Sequence, residues 1–142
     1  MKHNKRPISL GEGRIFLNGV EISDGVACAV NFTPKVWNGK QLGERSDSSR
    51  WLGFSITGSI TRRRSTPFIK DQIKQYRRTG RTPELTIQGI NNDRDSDYFA
   101  ANGSDTTTLV GVVLTGDLPL TRLDSGGEVV DDVINFSAKD MV

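Results

Sequence analysis

The sequence predicts a mainly β protein: an antiparallel β-sandwich or partial barrel with one α-helix packed against it. Three observations carry this. Residues 51–62 alternate apolar and polar side chains with a period of two; several shorter alternating runs are bounded by glycine-rich turns; and only residues 66–79 show helical spacing. The length of 142 residues suits a single domain spanning 1–142. Val, Ile, Leu and Phe supply 37 of the 142 residues, enough for a real core.

In order along the chain, residues 1–12 are polar and basic, contain Pro7 and Gly11, and read as a flexible N-terminal arm. Residues 13–22 read as two short strands joined at Asn18-Gly19, a pair that accepts the positive φ angles of a tight hairpin. The second strand is expected to run on through 26–33, with a bulge or bend at Asp24-Gly25. Residues 34–50 lose the pattern and read as a long loop. Trp37 and Leu42 within it suit docking better than solvent.

The clearest strand is 51–62. Leu52, Phe54, Ile56 and Ile60 point one way and Ser55, Thr57, Ser59 and Thr61 the other, while Trp51 and Phe54 are expected on opposite sides. In the helix, Thr66 is placed to cap, Pro67 suits the first position, and Ile69, Ile73 and Tyr76 form an apolar stripe. Arg77 and Arg78 suit its negative end, and Gly80 is the stop signal. Strands are expected at 83–90, 106–115 and 128–137, with a polar loop over 91–105.

The enzyme case is thin. His3 is the only histidine and sits in the arm, so neither a catalytic triad nor a histidine metal site has material. Cys28 is the only cysteine, which excludes an internal disulfide and a cysteine zinc site; in its apolar run it reads as a small buried hydrophobe. Asp93, Asp95 and Asp97 have the spacing of a calcium loop's first half, but Tyr98 and Ser104 stand where glycine and glutamate are needed. No phosphate-binding glycine loop is present, and no cofactor is implied. The apolar runs are too short for a membrane span, and no apolar stretch follows the basic start, so neither membrane insertion nor secretion is expected.

Charge is unevenly spread. Residues 1–91 hold 16 basic and 7 acidic residues, whereas 92–142 hold 3 basic and 10 acidic. Such a chain either attracts copies of itself, presents a basic face to an acidic partner, or mixes its charges in one sheet. Arg62, Arg63 and Arg64 with Arg77, Arg78 and Arg81 form a candidate basic patch.

The run Gly11-Glu12-Gly13-Arg14-Ile15-Phe16-Leu17-Asn18-Gly19-Val20-Glu21 resembles the opening of tail tube proteins of contractile phages, defective prophages and phage-like bacteriocins of Gram-positive bacteria, the XkdM-like group. The later order is similar too: a variable polar loop, a Gly/Thr/Ser-rich strand, one helix ending in basic residues and glycine, a Pro-x-Leu-Thr run at Pro83, and a last strand ending at Phe136. The resemblance covers nearly the whole chain, and departs in the longer 91–108 segment and the short tail.

The resemblance implies a structural virion protein, not an enzyme. Its copies would form hexameric rings that stack into a hollow tail tube, their sheets joining into one barrel. The tail sheath protein would lie outside and the tape-measure protein inside during assembly, with baseplate and tail terminator proteins at the ends. The tube would be assembled in the host bacterial cytoplasm, and DNA would pass through it without specific binding. A wall that does not grip DNA should lack arginine forks. Ser55, Thr57, Ser59 and Thr61 fit such a lumen-facing surface, and Val36, Trp37, Leu42 and Arg45 are the candidate subunit contacts of the 34–50 loop. The alternative function is a small β-barrel binding module for nucleic acid or carbohydrate.

Overall fold

A computed structural model describes residues 6–142. Its elements in chain order are β1 (Gly13–Leu17), β2 (Val20–Glu21), β3 (Gly25–Gly39), β4 (Ser48–Arg63), α1 (Phe68–Thr79), β5 (Leu85–Asn91), α2 (Asp97–Asn102), β6 (Asp105–Thr115), β7 (Asp131–Ala138) and β8 (Asp140–Met141). The strands form one antiparallel path, β2-β1-β5-β6-β7-β4-β3, with β8 pairing on β6.

Strand β6 belongs to two sheets. It pairs with β5 from Asn91↔Asp105 to Leu85↔Val112, with a register shift between Ile87 and Leu85. Its last residues, Val113 to Thr115, pair with β7. Gly111, at φ 62°, a conformation glycine adopts without strain, lies at that register shift, just before the strand passes from one partner to the other. The folded-over sheets enclose Ile56, Ile60, Leu85, Ile87, Leu109, Val112 and Phe136.

The barrel stays open. The path ends at β2 and at β3, and among the described residues the 15-residue β3 pairs only with β4. A cleft of about 380 Å³, lined by Ile15, Val26, Cys28, Val30 and Ile90 among others, separates β3 from β1 and β5. This explains Cys28, expected in the core: it lies exposed on the open margin.

The Asn18-Gly19 hairpin forms as the sequence predicts, with φ 51° and 82°. Gly19 has open space around its missing side chain, so only backbone strain opposes substitution. Gly19→Ala is expected to lower stability by about 1 kcal/mol, read as a lower urea midpoint at unchanged slope.

The expected 34–50 loop is mostly strand. Alternation continues past Pro34, and the loop shrinks to residues 40–47. Proline misled the reading because it cannot donate to an interior ladder, yet an edge strand tolerates it, and β3 is an edge. The polar 91–105 segment contains a further helix, α2, capped by the buried Ser96, whose hydroxyl accepts from the Phe99 N–H at 3.1 Å.

The main helix starts later than expected. Pro67 is its N-cap and no side chain caps it; the Thr66 hydroxyl instead accepts from the Arg62 guanidinium at 3.0 Å. Gly80, at φ 71°, closes it as predicted, donating to Tyr76 O at 2.7 Å. The fold holds the helix by its first turn, where Phe68 packs on the core and Ile69 is buried; Tyr76 at the far end is exposed.

Residues 1–5 of the expected arm, with His3, lie outside the described residues. Residues 6–12 are docked. The Arg6 N–H donates to Asp97 Oδ2 and its guanidinium to Asp95 Oδ1, at 3.0 and 2.8 Å. The Ser9 N–H donates to Asp93 Oδ2 at 3.0 Å. The three carboxylates with calcium-like spacing therefore hold the arm.

Candidate functional site

Strand β4 builds two unlike faces. Ile56 and Ile60 are buried on one; Ser55, Thr57, Ser59 and Thr61 lie on the other, the first two exposed and the last two half-buried. The register widens this second face. On the β3 side Ser55, Thr57 and Ser59 lie opposite Thr33, Asn31 and Ala29. On the β7 side Thr57, Ser59 and Thr61 lie opposite Ser137, Asn135 and Val133. Across three strands the surface is small, largely hydroxylated and uncharged. Charges appear at its margins: Lys35 opposite Gly53, and Arg63 paired with Asp131 at 3.6 Å.

Beyond the core, β3 and β4 continue as a two-stranded projection, and a bulge reorganises it. Lys35 pairs with Gly53 but Val36 pairs with Trp51, which leaves Leu52 as the extra residue. One extra residue shifts the facing of everything before it. Trp51 therefore joins Phe54, Phe32 and Val36 on one face, against the expectation that Trp51 and Phe54 oppose each other. Phe32 stacks on Phe54 with centroids 5.1 Å apart and meets Trp51 at 5.7 Å. This face continues the buried face of Ile56, yet among the described residues nothing covers it: Trp51 is 65%, Phe54 49% and Phe32 46% exposed.

The four candidate contact residues do not converge. Val36 lies on the aromatic face, while Trp37, opposite Arg50, lies on the other with its indole over Gly39. Leu42 and Arg45 are exposed in the 40–47 loop. Sequence reasoning missed the Phe32–Trp51–Phe54 cluster. The one available signal was the Trp51-Leu52 doublet, which breaks the alternation where the bulge forms.

Of the candidate basic patch, Arg62 and Arg64 are engaged internally, whereas Arg63, Arg77, Arg78 and Arg81 are exposed. Arg62 is buried, because its parity puts it on the core face, and it donates to Asp24 Oδ2 at 3.0 Å. It also lies over the Phe68 ring, 5.2 Å from the centroid. Arg64 grips Asp132 with two bonds of 2.8 Å and donates to the Pro119 and Leu120 carbonyls. The bonds it donates to the Asp132 carboxylate push the Arg64 guanidinium pKa above its ordinary value. Of the triplet only Arg63 is exposed. Arg63–Asp131 and Arg64–Asp132 join basic residues of the first part of the chain to acidic residues of the second, so part of the charge asymmetry is neutralised within the subunit, whereas Arg62–Asp24 lies within the first part.

Among the described residues no group of His, Cys, Asp and Glu side chains is arranged to hold a metal ion. Among the described residues no helix is long and apolar enough to cross a membrane. What the described residues offer is an open strand edge, a broad polar face and an uncovered aromatic face.

Comparison with known proteins agrees with this geometry. Among curated proteins none is similar in sequence. Among solved structures, the chain is similar to one from the sheath–tube complex of an extracellular contractile injection system, PVC, in the extended state. That match has 10% identity, covers 96% of this chain and 90% of the other, and has a TM-score of 0.71. A chain of the sheath/tube terminator of the same system matches at 10% identity over 97% and 96%, with a TM-score of 0.74. A chain of the anti-feeding prophage tube-terminating cap matches at 10% identity over 100% and 93%, with a TM-score of 0.73. At these identities the likeness is one of fold. A family model described as "Phage tail tube protein" matches residues 2–141, nearly the whole chain, and the chain belongs to that family of structural, non-enzymatic tail tube proteins.

Proposed function

We propose that copies of this chain assemble into hexameric rings that stack into the hollow tube of a contractile phage or phage-like tail, a component of the virion tail. The observation that carries this reading is the unclosed barrel. An edge strand of 15 residues, beside a polar face and an open cleft, is an aggregation hazard in a free monomer but a joint in a ring. Pairing along β3 satisfies its free backbone groups and joins the sheets of adjacent subunits. The face of Ser55, Thr57, Ser59 and Thr61 then lines the channel, and its hydroxyls let DNA pass without the charge contacts that would hold it.

The helix side of the subunit faces outward in this arrangement. The solved structures of similar fold come from sheath–tube, baseplate and tube-terminating assemblies, which supports a sheath protein outside the tube and baseplate and terminator proteins at its ends. A tape-measure protein occupies the channel during assembly in the host bacterial cytoplasm. Val36, Trp37, Leu42 and Arg45 reach the adjacent copy from the projecting strand pair and its loop.

Electron microscopy of the purified protein across a concentration series tests this. Rings and tubes with a central channel are expected at high concentration. A monomer at every concentration, with a DNA affinity that falls steeply with salt, contradicts the proposal and returns the chain to the binding-module reading.

A further inference from the structure

The 6–12 arm and the 91–105 segment hold each other. The Asp97 N–H donates to the Arg6 carbonyl at 2.8 Å and the Asn92 N–H to the Glu12 carbonyl at 2.9 Å. The Asn91 side-chain amide donates to the Ser9 carbonyl at 2.9 Å. These join the bonds that Arg6 and Ser9 donate to the carboxylates of Asp93, Asp95 and Asp97. Apolar burial adds little: of residues 6–12 only Ile8 is half-buried, and Leu10 is 97% exposed. Helix α2 has six residues and none is buried, so it is too short to persist without support. Surface hydrogen bonds compete with water, and each contributes little net stability. Such a unit opens locally, well below the cost of global unfolding.

The unit sits beside the open margin. Leu10 and Gly11 of the arm, with Asn91 and Asp105 at the ends of the segment, line the cleft of about 380 Å³ whose far wall includes Val26 and Cys28 of β3. The unpaired margin of β3 faces this cleft, because β4 occupies its other side. A strand added to β3 would lie about 4.8 Å from it, inside the cleft and against the arm. A docked arm therefore occupies the approach, and a released arm clears it. Arg6 makes the hold electrostatic. Its guanidinium meets Asp95 at 2.8 Å, with side chains 65% and 84% exposed, so salt weakens the contact.

We infer that the arm and the α2 segment form a lid, latched through Arg6 and Ser9 on Asp93, Asp95 and Asp97, that gates the first half of β3. Docked, it keeps the strand of another copy out of the cleft; released, it admits that strand. A long unpaired edge is a hazard to a free subunit, and the lid obstructs this one until it opens. Pairing at β3 belongs to the tube reading, so the purpose of the lid rests on that reading, whereas its opening is a property of the single chain.

The test uses the full chain. Arg6→Glu places a further carboxylate among Asp93, Asp95 and Asp97, and Arg6→Glu combined with Asp95→Arg restores an opposite pair. In dilute protein, the rate at which Cys28 reacts with a bulky maleimide reads the cleft, because Cys28 is the only cysteine and lines it. Partial burial there pushes the thiol pKa up, so an opened cleft raises both access and thiolate. Arg6→Glu is expected to react about threefold faster or more, the scale of an exposed ion pair, and the double variant to return to the wild-type rate. Light scattering at high concentration should show assembly quickened in Arg6→Glu and restored in the double variant. Circular dichroism verifies that each variant is folded. An unchanged Cys28 rate overturns the lid, as does an acceleration that the double variant does not reverse. Acceleration with assembly no faster than wild type overturns the gate. Acceleration and its reversal with no assembly by any variant support the lid and sink the tube reading alone.

Discussion

Gly58→Val should abolish stable folding. Gly58 sits in the middle of β4, with Val30 opposite it on one side and Phe136 on the other. A Cβ at this position would meet the Ala29 carbonyl oxygen and lie 2.7 Å from the Phe136 ring. Relief at the ring is available, because a side chain can rotate. Relief at the carbonyl is not, because it requires β3 and β4 to separate along the longest pairing in the fold. Overpacking of a well-filled core costs about 1–3 kcal/mol, and a backbone clash puts this substitution beyond the upper figure. Even Gly58→Ala is expected to cost about 3 kcal/mol in urea denaturation. Adding Phe136→Leu should restore less than half of it, since the carbonyl contact remains. A loss below about 1 kcal/mol for Gly58→Ala would contradict the close approach.

Arg62→Ala is expected to cost about 3 kcal/mol at neutral pH, the lower end for breaking a buried pair. Arg62 and Asp24 contact each other at 3.0 Å with side chains only 10% and 12% exposed. Asp24 Oδ1 is buried with no partner among the described residues, so its other oxygen, held by Arg62 and the Ser65 hydroxyl, carries the compensation. Burial pushes the Asp24 carboxyl pKa up, but the bonds from Ser65 and Arg62 and the Arg62 charge together outweigh it, and the net shift is downward. A depressed folded pKa means that the stabilisation is present above the unfolded value and is lost as pH falls through the folded one. The gap in stability between the wild type and Arg62→Ala should thus be full at pH 7 and narrow below about pH 4. A gap that widens with acid would show that the pair is not what holds this corner.

These two sites show what the sequence does and does not reveal. Alternation in β4 was legible because one face is buried and the other is not, and it correctly separated Ile56 and Ile60 from Ser55, Thr57, Ser59 and Thr61. The Asn18-Gly19 turn and the Gly80 stop were legible because each depends on a local φ angle. The parity that put Arg62 on the core face was equally present, but its burial depends on Asp24, 38 residues away, which no local pattern reveals. Two local breakers misled in opposite senses. Pro34 looked like the end of a strand and is the mark of an edge. Leu52 looked like a core residue and is the bulge that gathers Phe32, Trp51 and Phe54. The arm seemed free because the carboxylates that hold it lie more than eighty residues further on. The polar face of the candidate site was therefore readable from periodicity, whereas the aromatic face required the register.

The central claim is that the open edge of β3 is completed by another copy. A reconstruction by electron cryomicroscopy of the assembled protein tests it most directly. The account predicts that β3 is hydrogen-bonded along Gly25–Gly39 to a strand of the adjacent copy, with Ser55 and Thr57 on the wall of a central channel. An assembly in which β3 has no strand neighbour but β4, or in which that hydroxylated face turns toward the outside, would contradict it.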